Sequence, residues 1–252
     1  MAGPRVALFV TCLVDLLRPS VGFASVKLLA EAGCDVDVPE AQTCCGQPNW
    51  NAGDRAGAAE MARRVIETFE PYDHVVLPSG SCAATIVKDY PAMFAPEDPW
   101  RARAEALAAR THEITSFLAD VMGVAPARRA LRASVTYHDS CSGLRSLGIA
   151  EQPRRLLAAI GGLELREMQD ADVCCGFGGT FCVKYPEVSG AMATDKTECI
   201  AATGADLVLA GDLGCLMNMA GKARREGRAF KARHVVEVLA GTTHVPPIGD
   251  SK

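Results

Sequence analysis

No stretch of this 252-residue chain is apolar for long enough to cross a bilayer or to form a signal-peptide core. The run from Val6 to Val10 near the start is the nearest approach, and a spanning helix needs about 20 such residues. Basic clusters are missing as well. With 26 Lys and Arg against 30 Asp and Glu, the formal net charge is −4, and no Lys/Arg run marks a nucleic-acid or anionic-lipid surface. Aromatic residues make up only 6% while apolar residues reach 49%, a balance that suits small-residue helices packed on sheets. No Cys-x-x-Cys occurs, so the usual zinc knuckle is missing, and there is no flavin or nicotinamide fingerprint. The expectation is a cytoplasmic protein without nucleic-acid partner or integral membrane contact, whose thiols stay reduced.

What is abundant is cysteine. Eleven are present, and eight fall into two copies of one pattern: Cys12, Cys44-Cys45-Gly46, Cys82, and then Cys141, Cys174-Cys175-Gly176, Cys215. Corresponding cysteines lie 129 to 133 positions apart, which points to an internal duplication. A ring between adjacent cysteines is strained, so the vicinal pairs are poor disulfide candidates. Four thiolates gathered from three segments suit a soft metal centre, either zinc or an iron–sulfur cluster. Zinc normally takes its ligands in Cys-x-x-Cys pairs. An iron–sulfur core, with its irons set apart, accommodates the wide spacing seen here. Cys34 and Cys199 have no counterparts and read as small buried hydrophobes.

Each half reads as strand, helix, strand, helix, strand, with a cysteine near each strand end. In the first half the strands are RVALFV, CDVDVPE and HVVLP, with helices over 20–32 and 54–69, the latter capped by Asp54. In the second they are ASVTYHD, LELREM and DLVLAG, with helices over 151–159 and 187–203. Apolar strands alternating with helices predict an α/β fold: two similar halves, each a parallel sheet covered by helices, with metal sites at the carboxyl ends of the strands. The expected organisation is a first cysteine-rich repeat over 1–95, a helical connector over 96–130 punctuated by Pro96, Pro99 and Pro126, a second repeat over 131–242 and a loose tail over 243–252.

Neighbouring residues fit a cluster. Gly46 and Gly176 let the backbone approach after each cysteine pair. Ser81-Cys82 opens a helix, where free N–H groups favour thiolate. His138-Asp139 reads as a hydrogen-bonding pair at a strand end, with a donor or proton-relay role beside the cluster as its functional alternative. Cys182 is either a fifth thiolate or a buried thiol. The Gly176-Phe177-Gly178-Gly179 run follows a cysteine pair and not a strand, so it is a poor phosphate loop.

The stretches TCLVDLLRPSVG (11–22), CCGQPNWNAG (44–53), PSGSCA (78–83), YHDSCSGLR (137–145), CCGFGGTFCVKYPEVS (174–189) and GDLGCLMN (211–218) resemble the cysteine-rich CCG domain. That domain is found in heterodisulfide reductases, glycolate oxidase iron–sulfur subunits and, most similar in detail, the lactate-utilisation protein A family. The resemblance implies up to two clusters per chain, of the [4Fe-4S] type, held by Cys12, Cys44, Cys45 and Cys82 and by Cys141, Cys174, Cys175 and Cys215. It implies an electron-transfer component of a complex oxidising L-lactate to pyruvate, inactive alone, with a larger iron–sulfur protein and a small third protein as partners. The wider family's motif ends in Cys-x-x-Cys. Here Ser79 and Asp212 stand where the first of those cysteines would be, as oxygen ligands or as turn and cap residues. That loss counts against the alternative of heterodisulfide-type chemistry. A non-redox zinc scaffold is the other alternative.

Overall fold

The computed structural model describes residues 3–124 and 129–250; Pro126, one of the expected punctuating prolines, lies outside them. Two four-stranded sheets form, and every pairing between their strands is parallel. The first contains β1 (Arg5–Leu8), β2 (Asp35–Asp37), β3 (His74–Leu77) and β4 (Thr111–Glu113), in the order β2-β1-β3-β4. The second contains β5 (Arg129–Tyr137), β6 (Ile160–Leu165), β7 (Leu207–Ala210) and β8 (Lys231–His234), in the order β6-β5-β7-β8. The halves are the same fold repeated, down to register. Leu8 faces Val76 as Tyr137 faces Leu209. One residue on, the Phe9 N–H donates to the Val76 carbonyl at 2.9 Å and the His138 N–H to the Leu209 carbonyl at 2.8 Å.

Helices cover the sheets because their apolar positions recur at helical spacing. The helix Pro19–Glu31 buries Val21, Ala24, Leu28 and Leu29. The helix Arg55–Phe69 starts where Asp54 accepts from the Gly57 N–H at 3.0 Å and sends Phe69 onto Phe9, ring centroids 5.0 Å apart. Glu151–Leu157 and Pro186–Ala202 are the corresponding helices of the second half. The halves interlock. Arg18 and Ser20 bond the buried Glu237 at 2.9 and 2.8 Å, and Lys27 Nζ donates to the Ala240 carbonyl at 2.9 Å, so the first half's helix Pro19–Glu31 packs on the second half's helix Val235–Leu239. One core therefore joins Val6 and Leu8 to Val135, Val208 and Leu209.

Three features differ from expectation. Each sheet has a fourth strand, β4 and β8. The stretch 96–130, expected as a helical connector, holds the helix Pro99–Ala108 but also β4 and the first residues of β5. The end of the chain, expected to be loose, folds back over its described residues. The Ile248 N–H donates to the Ala232 carbonyl at 2.8 Å, Asp250 pairs with Lys231 at 3.0 Å, and Ile248 is buried in the same apolar core as Ala220, Ala223 and Phe230. No helix among the described residues is long and apolar enough to cross a membrane.

Candidate metal centres

All eight repeated cysteines lie beyond the carboxyl ends of strands, where parallel sheets expose their free backbone groups. Cys12 begins a short helix after Thr11, whose φ of 72° is unusual for a β-branched residue. This turn brings Cys12 Sγ to 3.9 Å from Cys44 Sγ. Gly46 and Gly176, at φ 80° and 82°, turn the chain sharply after each vicinal pair. A Cβ on Gly46 would stand 3.2 Å from Met61 Cβ, and one on Gly176 would stand 3.1 Å from Met192 Cβ and 2.6 Å from the Ser189 carbonyl oxygen. Side chains hold the pairs from behind: Tyr90 donates its hydroxyl to the Cys45 carbonyl at 2.8 Å and Asn218 its amide to the Cys175 carbonyl at 2.8 Å.

The thiols form two chains of the same order. Cys44 neighbours Cys12 and Cys45, and Cys45 neighbours Cys82. Cys174 neighbours Cys141 and Cys175, and Cys175 neighbours Cys215. Crowding sets their acidities. Hydrogen bonds from Cys12 and then Cys45 hold the Cys44 thiol down at about 2, and Cys12, bonded to Cys44 and partly buried, is pushed far up. Cys45 rises through its bonds to Cys44 and Cys82 and its burial. Cys141 rises through its bond to Cys174 and its burial. In Cys215 the bond from Cys175 favours thiolate, but burial and the nearby charge of Asp212 outweigh it. Thiols this close cannot all ionise without a cation among them.

The first set borders a cavity of about 220 Å³, lined on its other side by Phe177 and Asp212 of the second half. All eleven cysteines are free thiols. Two sets of neighbouring sulfurs, unpaired in disulfides and one of them facing a cavity, make a donor set that fits a soft metal or an iron–sulfur cluster.

Ser79 and Asp212 hold the same place in the two halves and touch each other, Ser79 Oγ to Asp212 Oδ2 at 3.3 Å. Ser79 also accepts from the Cys82 N–H at 3.3 Å, and Asp212 from the Ser81 N–H at 3.0 Å. Cys182 joins neither thiol chain; its sulfur donates to the Gly179 carbonyl at 3.4 Å. Cys34 and Cys199 pack half-buried against the core.

His138 and Asp139 part company. Asp139 binds Arg154 through both oxygens, at 2.9 and 2.8 Å. His138 is 1% exposed, and its ring nitrogens find no hydrogen-bond partner among the described residues. A ring nitrogen and the sulfurs of Cys175 and Cys215 all lie within 4.8 Å of one another. A second buried group carried no sequence signal: Glu113, at the end of β4, whose burial pushes its carboxyl up to about 7.

The family model of the cysteine-rich CCG domain matches residues 6–87 and 135–220. Lactate utilization protein A from Geobacillus sp. (strain WCH70) is 46% identical over 235 residues, which cover 93% of this chain and 98% of that protein. Lactate utilization protein A from Bacillus subtilis (strain 168) is 43% identical over the same shares. Among solved structures, a hypothetical protein from Helicobacter pylori aligns with all of this chain and 55% of its own, at a TM-score of 0.66 and 8% identity, which is a likeness of fold.

Proposed function

This chain belongs to the cysteine-rich CCG-domain family, within its lactate utilization protein A group, and from that premise we propose an iron–sulfur electron-transfer component of an assembly that oxidises L-lactate to pyruvate. The observation that carries the reading is the pair of equivalent thiol chains, Cys12–Cys44–Cys45–Cys82 and Cys141–Cys174–Cys175–Cys215. Each would hold one cluster, up to two per chain and of the [4Fe-4S] type, which when bound would accept and release single electrons. The residues around the thiols hold them in place: Tyr90 and Asn218 fix the vicinal pairs, and Phe177 and Asp212 line the far side of the first cavity.

Lactate oxidation releases two electrons and two protons. That step is assigned to a partner, and this chain carries electrons onward. Exposed Leu16 and Leu17, on the helix that Cys12 begins, and exposed Val183 and Tyr185, beyond the second vicinal pair, suit contact with other proteins. The proposed partners are a larger iron–sulfur protein and a small third protein, in the cytoplasm.

Iron and sulfide quantitation on anaerobically purified protein, with electron paramagnetic resonance of the reduced form, tests the reading. About four irons and four sulfides per loaded half are expected. Zinc without iron or sulfide would overturn it, and the compact grouping of His138, Cys175 and Cys215 is the observation that favours that competitor.

A further inference from the structure

The two centres do not have the same surroundings. The shared register makes Phe9 the counterpart of His138: both follow the first strand by one residue, both donate to the facing strand, and each precedes its cysteine by three positions. The contacts of Gly46 with Met61 and Gly176 with Met192 align the covering helices, which makes Val65 the counterpart of Lys196, four residues further on in each case. All four side chains are buried. Beneath the first thiol set therefore lie a phenyl ring and an isopropyl group, and beneath the second an imidazole and an ammonium.

A buried polar pair in place of an apolar one is costly unless its atoms find partners. Lys196 finds them: Nζ donates to the Asp170 and Ala171 carbonyls at 2.7 and 3.0 Å. The Ala171 carbonyl falls short of hydrogen-bond geometry with the imidazole. The ring is left with two unpartnered nitrogens and two thiols, Cys175 and Cys215, within 4.8 Å.

We infer that His138 is a ligand of the second metal centre, so that this centre takes nitrogen as well as sulfur while the first takes sulfur alone. The inference rests on the iron–sulfur reading above. Four cysteines already supply one donor for each iron of a [4Fe-4S] core. A fifth donor gives one iron two protein ligands, and that iron differs from its three neighbours. Lys196 supplies positive charge beneath the same centre. Replacing neutral imidazole by a thiolate would add negative charge and favour the oxidised form.

The test uses full-length protein labelled with 15N-histidine, purified anaerobically and reduced, with pulsed electron paramagnetic resonance. A directly bonded histidine nitrogen coupling is expected in the second centre's signal, identified in a Cys82→Ser background that weakens the first. The coupling should vanish in His138→Phe, which installs the ring already present at the equivalent place in the first half. His138→Cys should keep the iron and lower the second centre's midpoint potential. Circular dichroism shows whether each variant folds. Clusters without a histidine coupling, or a coupling that survives His138→Phe, overturn the inference and leave the iron–sulfur reading intact. Protein with no iron or sulfide overturns both.

Discussion

Glu113 and His234 occupy the same place in the two sheets, and each reaches across to the loop after the other half's third strand. Glu113 pairs with Leu77 and His234 with Ala210, at matching registers. His234 Nε2 lies 3.2 Å from the Pro78 carbonyl oxygen, and Glu113 Oε1 lies 3.3 Å from where a Cβ on Gly211 would stand. Each also starts a helix: Glu113 accepts from the Thr115 N–H at 2.8 Å, His234 from the Val236 N–H at 3.4 Å. Burial pushes the Glu113 carboxyl up to about 7 and the His234 imidazole down to about 4.

These opposed shifts give stability a two-sided pH dependence. Glu113 binds its proton more tightly folded than unfolded, so its contribution is complete below pH 4.5 and is lost as pH rises toward 7. His234 favours the neutral ring when folded, so its contribution is complete above pH 6.5 and is lost as pH falls toward 4. Denaturant unfolding of Glu113→Gln across this range should show the variant gaining about 3 kcal/mol on the parent between pH 4.5 and 7. A difference that stays flat with pH would refute the assignment.

Asp212 lies between the two thiol sets. It borders the first cavity and its charge raises Cys141 and Cys215. Asp212→Asn removes that charge while an amide oxygen can still accept from Ser81. Redox titration should find both centres at higher potential, with iron content unchanged. Loss of iron from the second half alone would instead mark Asp212 as a ligand.

Cys45→Ser and Cys175→Ser each remove the third thiol of one chain. Each variant should lose about half of the iron, keep its circular dichroism spectrum, and lower electron flow from lactate in the reconstituted assembly. Full activity of both variants would take the clusters off the electron path.

Glu237 is fully buried and joins Arg18 and Ser20 across the halves. Glu237→Ala leaves Arg18 facing a site without its counter-charge and should cost about 3 kcal/mol. Chemical denaturation measures it. A loss below about 1 kcal/mol would show that the ion pair contributes no more than an exposed one.

Leu16, 76% exposed, sits four residues past Cys12 on the same helix. Leu16→Glu should leave iron content and stability unchanged and weaken association with the partner proteins, read by co-elution and by lactate-dependent electron flow. Undiminished association would move the docking face elsewhere.

Much of this was legible in the chain itself. The cysteines announced the duplication because ligand sets repeat at a fixed offset, and the strands that end at them are apolar runs bounded by turn residues. The fourth strands were not legible. Thr111–Glu113 and Lys231–His234 are short and rich in polar side chains, and their burial follows from packing between the halves, which no local pattern reports. Ile248 gave no sign of docking for the same reason: one apolar residue among prolines has no period. His138 was visible as a polar residue beside a cysteine, but its meaning depended on Phe9. That pairing emerges only once both registers are known.

The contact between Ser79 and Asp212 carries a consequence for ancestry. Equivalent positions that touch lie on the axis relating the two halves. In a dimer of identical half-length chains, whatever stands there meets its own copy. Two aspartates would set carboxylate against carboxylate and force one to hold a proton; two serines would leave the junction uncharged. Only after duplication joined the halves could one side carry the acid and the other the hydroxyl that donates to it. Fusion thus gave evolution a heterodimer in a single polypeptide, in which paired metal sites are free to diverge.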